Sequence, residues 1–124
     1  MGVPILKHGA YLIASIQSAL TDTDLRQLQD ELTAEVGRVR ARGVVVDVTV
    51  LDVMDSFATR VLRALVHMTK LRGAQTVIVG IQPEVALAMV QLGLSLDGVA
   101  TALDLEEGLA FLDRRTQGTR HHGA

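Results

Sequence analysis

The sequence has no cysteine and no tryptophan. Without cysteine there are no disulfides, no thiolate nucleophile and no cysteine-ligated metal. Aromatic side chains are nearly missing as well, with only Tyr11, Phe57 and Phe111 present. A nucleic-acid groove needs a basic stripe and usually stacking platforms. Here acids and bases are interleaved along the chain and the net charge is −2, so no nucleic-acid partner is expected. No apolar run reaches the roughly 18 residues of a membrane span. The apolar stretch within Met1–Lys7 is too short for a signal peptide. Leu6 stands where a myristoylation motif requires Ser or Thr. The expected protein is soluble and cytoplasmic, with no membrane partner.

What is present is aliphatic. Of 124 residues, 48% are apolar, and with so few rings the core must be Val, Leu, Ile and Ala. A chain of this length fits one domain. Val3–Lys7 and Tyr11–Gln17 read as strands joined by a turn at His8-Gly9. Thr21 to Asp24 supplies caps for a helix whose apolar face is Leu25, Leu28, Leu32, Val36 and Val39, with Gly43 as its stop. Val44–Val48 is β-branched throughout except for Asp47, as in a strand buried on both faces of a parallel sheet. Ser56–Arg72 reads as a second helix with Phe57, Val61, Leu65, Met68 and Leu71 inward and Thr59, Arg60, Arg63, His67 and Lys70 outward. Thr76–Val79 is another strand. Pro83 opens a helix to about Leu92 that has almost no polar face, so burial in a core or an interface is expected. A weak strand at Val99–Ala102 and a helix from Asp104 to about Arg114 complete the pattern. The order β-β-α-β-α-β-α-β-α implies an α/β fold with a mostly parallel mixed β-sheet and helices packed against it. The domain is assigned to residues 1–116, and 117–124 to a flexible tail.

Catalytic signatures are missing: there is no phosphate-binding glycine loop, no dinucleotide fingerprint and no nucleophile elbow. Of the four histidines, His121 and His122 fall in the tail, His67 on an exposed helix face, and none is spaced with carboxylates as a metal site. No metal, no cofactor, no catalytic residue and no enzymatic activity are expected. One segment stands apart, Val50-Leu-Asp-Val-Met-Asp-Ser-Phe57, between the most buried strand and an amphipathic helix. The carboxyl end of a central parallel strand is where functional loops gather. Ser56 falls at the helix N-cap, a role worth about 0.5–2 kcal/mol by itself. Asp52 and Asp55 suit the positive end of the helix dipole. A structural cap and a functional hydroxyl both fit Ser56 at this point. As a hydrolytic nucleophile it has no histidine placed to act as base.

The run Val44-Val-Val-Asp47, the segment Leu51-Asp-Val-Met-Asp-Ser56 and Lys70-Leu-Arg-Gly-Ala74 resemble the STAS domain of anti-sigma-factor antagonists. Pro4-Ile-Leu-Lys7, Ser15-Ile-Gln17, Gly80-Ile-Gln-Pro-Glu84, Leu92-Gly93 and Thr101-Ala-Leu-Asp-Leu-Glu106 are similar to the small scaffold members found in stressosomes. The resemblance covers positions 3 to about 114. It implies that Ser56 is phosphorylated by a serine kinase of the GHKL type, that the scaffold holds this kinase until phosphorylated, and that a phosphatase reverses the mark. It also implies co-assembly with paralogous STAS proteins bearing sensory domains, or a homo-oligomer, in control of an alternative sigma factor or similar stress output. The sensory paralogues carry a second phosphorylatable threonine in the helix after Pro-Glu, where Ala88 stands here. The partner surface expected on this resemblance is Asp52, Asp55, Phe57, Thr59, Arg60 and Arg63. Two alternatives are a plain antagonist that binds a switch kinase and, more remotely, a small flavodoxin-like enzyme.

Overall fold

The computed structural model describes the backbone of residues 2–122 and the side-chain surroundings of residues 2–116. The chain runs β1 (Ile5–His8), β2 (Tyr11–Ser15), α1 (Asp22–Val39), β3 (Gly43–Asp47), α2 (Ser56–Leu71), β4 (Gln75–Val79), α3 (Pro83–Gln91), β5 (Ala100–Ala102) and α4 (Leu105–His122). The strands form one sheet in sequence order. β1 pairs antiparallel with β2 through a two-residue turn, and every later pair is parallel. With strands in sequence order, right-handed crossovers place α1, α2 and α3 on one face. The alternation of side chains along the strands confirms it. Leu12, Ala14, Val44, Val46 and Ile78 join the core under those helices, whereas Tyr11, Ile13, Val45, Val77 and Val79 meet Leu112 of α4 on the other face. Gly108 lets α4 close on that second face, since a Cβ there would meet Val79 Cγ1 at 2.6 Å. Among the described residues no helix is long and apolar enough to cross a membrane.

Several local expectations change. α1 begins with a full capping box: Thr21 Oγ1 accepts from the Asp24 N–H while the Asp24 carboxylate accepts from the Thr21 N–H. It ends four residues before Gly43, with Arg40 in the left-handed region at φ 54°. Gly43 instead starts β3. Leu71 is not part of the inner face of α2; the helix ends there and the side chain is 89% exposed. Thr59, expected outward, is 2% exposed. α3 buries only Val85 and Met89, and its Leu87 and Val90 are 59% and 76% exposed. Nine residues make two and a half turns, and only one side of them reaches the sheet. α4 is traced past the expected end near Arg114; the tail assigned to 117–124 lies outside the residues whose surroundings are described.

Candidate functional site

The site is built on the carboxyl end of β3. Asp47, the one polar residue of its strand, turns its carboxylate back on the chain. Its Oδ1 accepts from the Thr49 N–H at 2.9 Å and from Thr49 Oγ1 at 2.5 Å. The Thr49 carbonyl accepts in turn from Gln82 Nε2 at 2.6 Å, which ties the loop to the start of α3. Gly80, at φ +83°, follows β4 directly, and a Cβ there would collide with Thr49. This knot holds the first residues of the loop against the neighbouring strand end.

The rest of the loop alternates. Leu51 and Met54 are buried, and Val50, Asp52, Val53, Asp55 and Ser56 are exposed. Two apolar anchors therefore present the residues between and after them to solvent. α2 then starts with Asp55, not Ser56, at the N-cap. Asp55 Oδ1 accepts from the Ala58 N–H at 2.8 Å, and the Asp55 carbonyl accepts from Thr59 Oγ1 at 2.8 Å. Asp competes as well as Ser for a cap, and the shift by one residue leaves Ser56 at the first helical position. Its hydroxyl has no hydrogen-bond partner among the described residues and faces water.

The expected partner residues divide. Asp52 and Asp55 line one groove of about 230 Å³ with Leu20, Leu25 and Val53, beside Ser56. Phe57 is half-buried against the core, and the Arg26 guanidinium of α1 lies 5.3 Å from its ring centroid, a cation–π contact. Arg60 is exposed one turn beyond Ser56. Thr59 leaves the surface because its hydroxyl serves the Asp55 carbonyl. Arg63 turns aside to donate from Nη1 to the Ser95 carbonyl at 3.1 Å, bracing the segment before β5. Thr49, Gly80 and Gln82 belong to the site's support and were not singled out as site residues from the sequence. The polar residue that interrupts an apolar strand and the glycine just after the next strand are the signals that could have found it. Among the described residues no group of three or more histidines and acids gathers as a metal site.

The family model described as STAS domain matches residues 3–108. A solved structure of a Moorella thermoacetica RsbS variant superposes with a TM-score of 0.80 at 37% identity, covering 93% of this chain and 97% of that one. A chain from a structure of the molecular architecture of the stressosome, described there as a signal integration and transduction hub, gives 0.74 at 37% identity, covering 91% and 98%. Among curated proteins, the RsbT co-antagonist protein RsbRA of Bacillus subtilis is 29% identical over 84 residues, which is 68% of this chain and 31% of that protein. The chain thus spans about a third of the length of such curated relatives.

Proposed function

Because the chain belongs to the STAS domain family, we propose that it is a non-catalytic scaffold of a stressosome, which holds a serine kinase of the GHKL type and releases it when Ser56 is phosphorylated. The observation that carries this reading is the division of labour at the start of α2. Asp55 caps the helix, so the adjacent Ser56 hydroxyl is exposed and has no structural duty. Similarity to RsbS and to a stressosome chain over more than nine-tenths of the sequence supports the scaffold role. Similarity to RsbR-type proteins supports paralogous STAS domains as the assembly partners.

The switch follows from electrostatics. A phosphate adds about −1.5 to −2 charges. At the first turn of α2 the free N–H groups and the helix dipole favour an anion, so the fold tolerates it. Arg60 at i+4 lies on the same helix face and gives the phosphate a counter-charge. Outside the chain, the new charge joins Asp52 and Asp55 in a patch that a surface fitted to neutral Ser56 would have to desolvate. Kinase release is the consequence, and a phosphatase resets it. The output is an alternative sigma factor or a similar stress response, and the compartment is the cytoplasm.

The test is capture of the cognate kinase by immobilised protein, with phosphate positions mapped by mass spectrometry. Ser56→Ala should capture the kinase and not release it with ATP. Ser56→Asp should capture it less well, though better than the phosphorylated protein, because it carries one charge and fewer acceptor oxygens. Stoichiometric phosphorylation of Ser56→Ala, with equal capture by Ala, Ser and Asp forms, would defeat the reading. Co-expression with a sensory paralogue should give a large particle; a small heterodimer with the kinase alone would favour a plain antagonist.

A further inference from the structure

Acids and bases come in short blocks of one sign along the sequence, such as Arg38, Arg40 and Arg42 followed by Asp47, Asp52 and Asp55, and the fold carries most of these blocks to opposite ends. β2 to β5 all run in one direction, so the helix N-termini gather at the carboxyl end of the sheet and the helix C-termini at the other. Acids occupy the first turns and their caps: Asp22 in α1, Asp55 before α2, Glu84 in α3 and Glu107 in α4. Asp22, Asp55 and Asp52, in the loop before α2, line one groove with the exposed Val53, so the Ser56 end is predominantly acidic, with Arg26 and Arg60 one turn further along α1 and α2.

The far end is the reverse. Three contiguous grooves of about 350, 410 and 330 Å³ open there and share Arg42. Their walls carry Arg40, Arg42, Lys70, Arg72 and Arg115 from the ends of α1 and α2, the start of β3 and α4. Asp113 is the one acid lining these grooves, and it accepts a hydrogen bond from Tyr11 Oη at 2.6 Å. The helix dipoles alone do not explain so many cations, since each is worth a fraction of a kcal/mol and decays within a turn.

We infer that the basic end is a docking surface whose occupant is the acidic end of a second copy of this chain, stacked head to tail. The two ends are opposite in sign, cations around Arg42 on one and carboxylates around Asp52 on the other. The two lie at opposite ends of the same sheet, so a copy translated along the strand direction brings them together. The basic end lies away from the kinase contact proposed at Ser56, whereas the acidic end it receives overlaps that contact; the stacking itself needs neither kinase nor phosphate. A heterologous contact of this kind leaves one basic and one acidic end free on each pair, so it propagates until a rotation closes it.

Sedimentation velocity of the unmodified, purified chain tests the inference. Wild-type protein should self-associate about tenfold more weakly at about 0.5 M than at about 0.05 M salt, because exposed charges are screened over a few ångströms at high ionic strength. Arg40→Glu with Lys70→Glu cancels the net positive charge of the basic end, and Asp52→Lys with Glu84→Lys removes most of the negative charge of the acidic end; all four side chains are exposed. Each double variant alone should associate at least about tenfold more weakly than wild type. An equimolar mixture should regain association, a result that also requires both variants to be folded. A monomer at every salt concentration, salt-independent association, or variants that associate like wild type would overturn the inference. So would wild-type binding to phosphatidylserine vesicles or a random-sequence oligonucleotide, lost in Arg40→Glu/Lys70→Glu, with no self-association.

Discussion

At Asp55 and Ser56, neighbouring side chains should answer oppositely to truncation. Asp55→Ala removes the carboxylate that satisfies the Ala58 N–H and should cost about 1 kcal/mol, within the usual 0.5–2 for a lost cap. Ser56→Ala removes a hydroxyl with no partner and should stay within about 0.5 kcal/mol of wild type. Urea melts of the two variants decide it, and an equal loss in both would return the cap to Ser56. From sequence, either residue of the Asp-Ser pair qualifies as a cap, since both types rank at the top. Only the backbone, which takes up helical geometry at Ser56, separates them. Thr59 was misplaced for a related reason. A helical wheel scores threonine as polar, while its hydroxyl can bond the carbonyl four residues back and be buried. Tyr11 offers a second test at this scale. Burial first, and then its hydrogen bond to Asp113, raises its pKa above the ordinary 10.0. The folded state therefore holds the phenol proton more tightly than the unfolded chain. The associated stability is complete below pH 10 and is lost as pH rises through the folded-state value. As the only tyrosine, with no tryptophan, it can be followed by its own absorbance. Its titration midpoint should fall when Asp113→Asn or urea removes these causes, and an unchanged midpoint in urea would contradict the burial.

The elements were largely readable because their signals are redundant. α1 has a capping box and four apolar residues at three- and four-residue steps, and all four are buried. β3 reads as a central strand from its β-branched run, and the sheet covers it on both sides. α3 shows where periodicity fails. Its residues are apolar all round, so hydropathy has no face to choose, and only the sheet geometry shows that Val85 and Met89 point in. Truncating Met89 to Ala should cost about 2–5 kcal/mol, whereas Val90→Ala should change stability by less than about 0.5 kcal/mol. Equal losses in thermal or denaturant melts would mean that α3 packs on both sides within a single chain. The loop before α2 depends on a non-local contact that no sequence window contains. Gly80→Ala puts a side chain at positive φ against Thr49 and should cost more than the about 1 kcal/mol of an unfavourable backbone substitution alone. It should also reduce kinase capture, because the Ser56 loop loses its anchor. Stability lost with capture intact would show that Gly80 serves only the fold.

The segregated charge belongs to the whole molecule, although runs of one sign at the helix starts and ends, such as Asp22 with Asp24 and Arg38 with Arg40, are its local traces. Acids and bases are present in nearly equal number, which suggests an even surface, yet parallel strands bring every helix start to one end. This polarity couples the two surfaces argued above, since Ser56 stands at the acidic end. A bound kinase would cover that end and block stacking on it. Phosphate would release the kinase and add about −1.5 to −2 charges to the surface that the basic end receives. Phosphorylated protein should therefore self-associate more tightly than unmodified protein at low salt, by a margin that shrinks as salt is raised. Ser56→Asp, with a single added charge, should fall between the two. Kinase capture and self-association would then change in opposite directions with one modification. Sedimentation of the unmodified, Asp-substituted and fully phosphorylated forms at two salt concentrations measures this directly. Weaker association on phosphorylation would mean that the acidic end meets something other than the cations around Arg42, even if stacking itself were found.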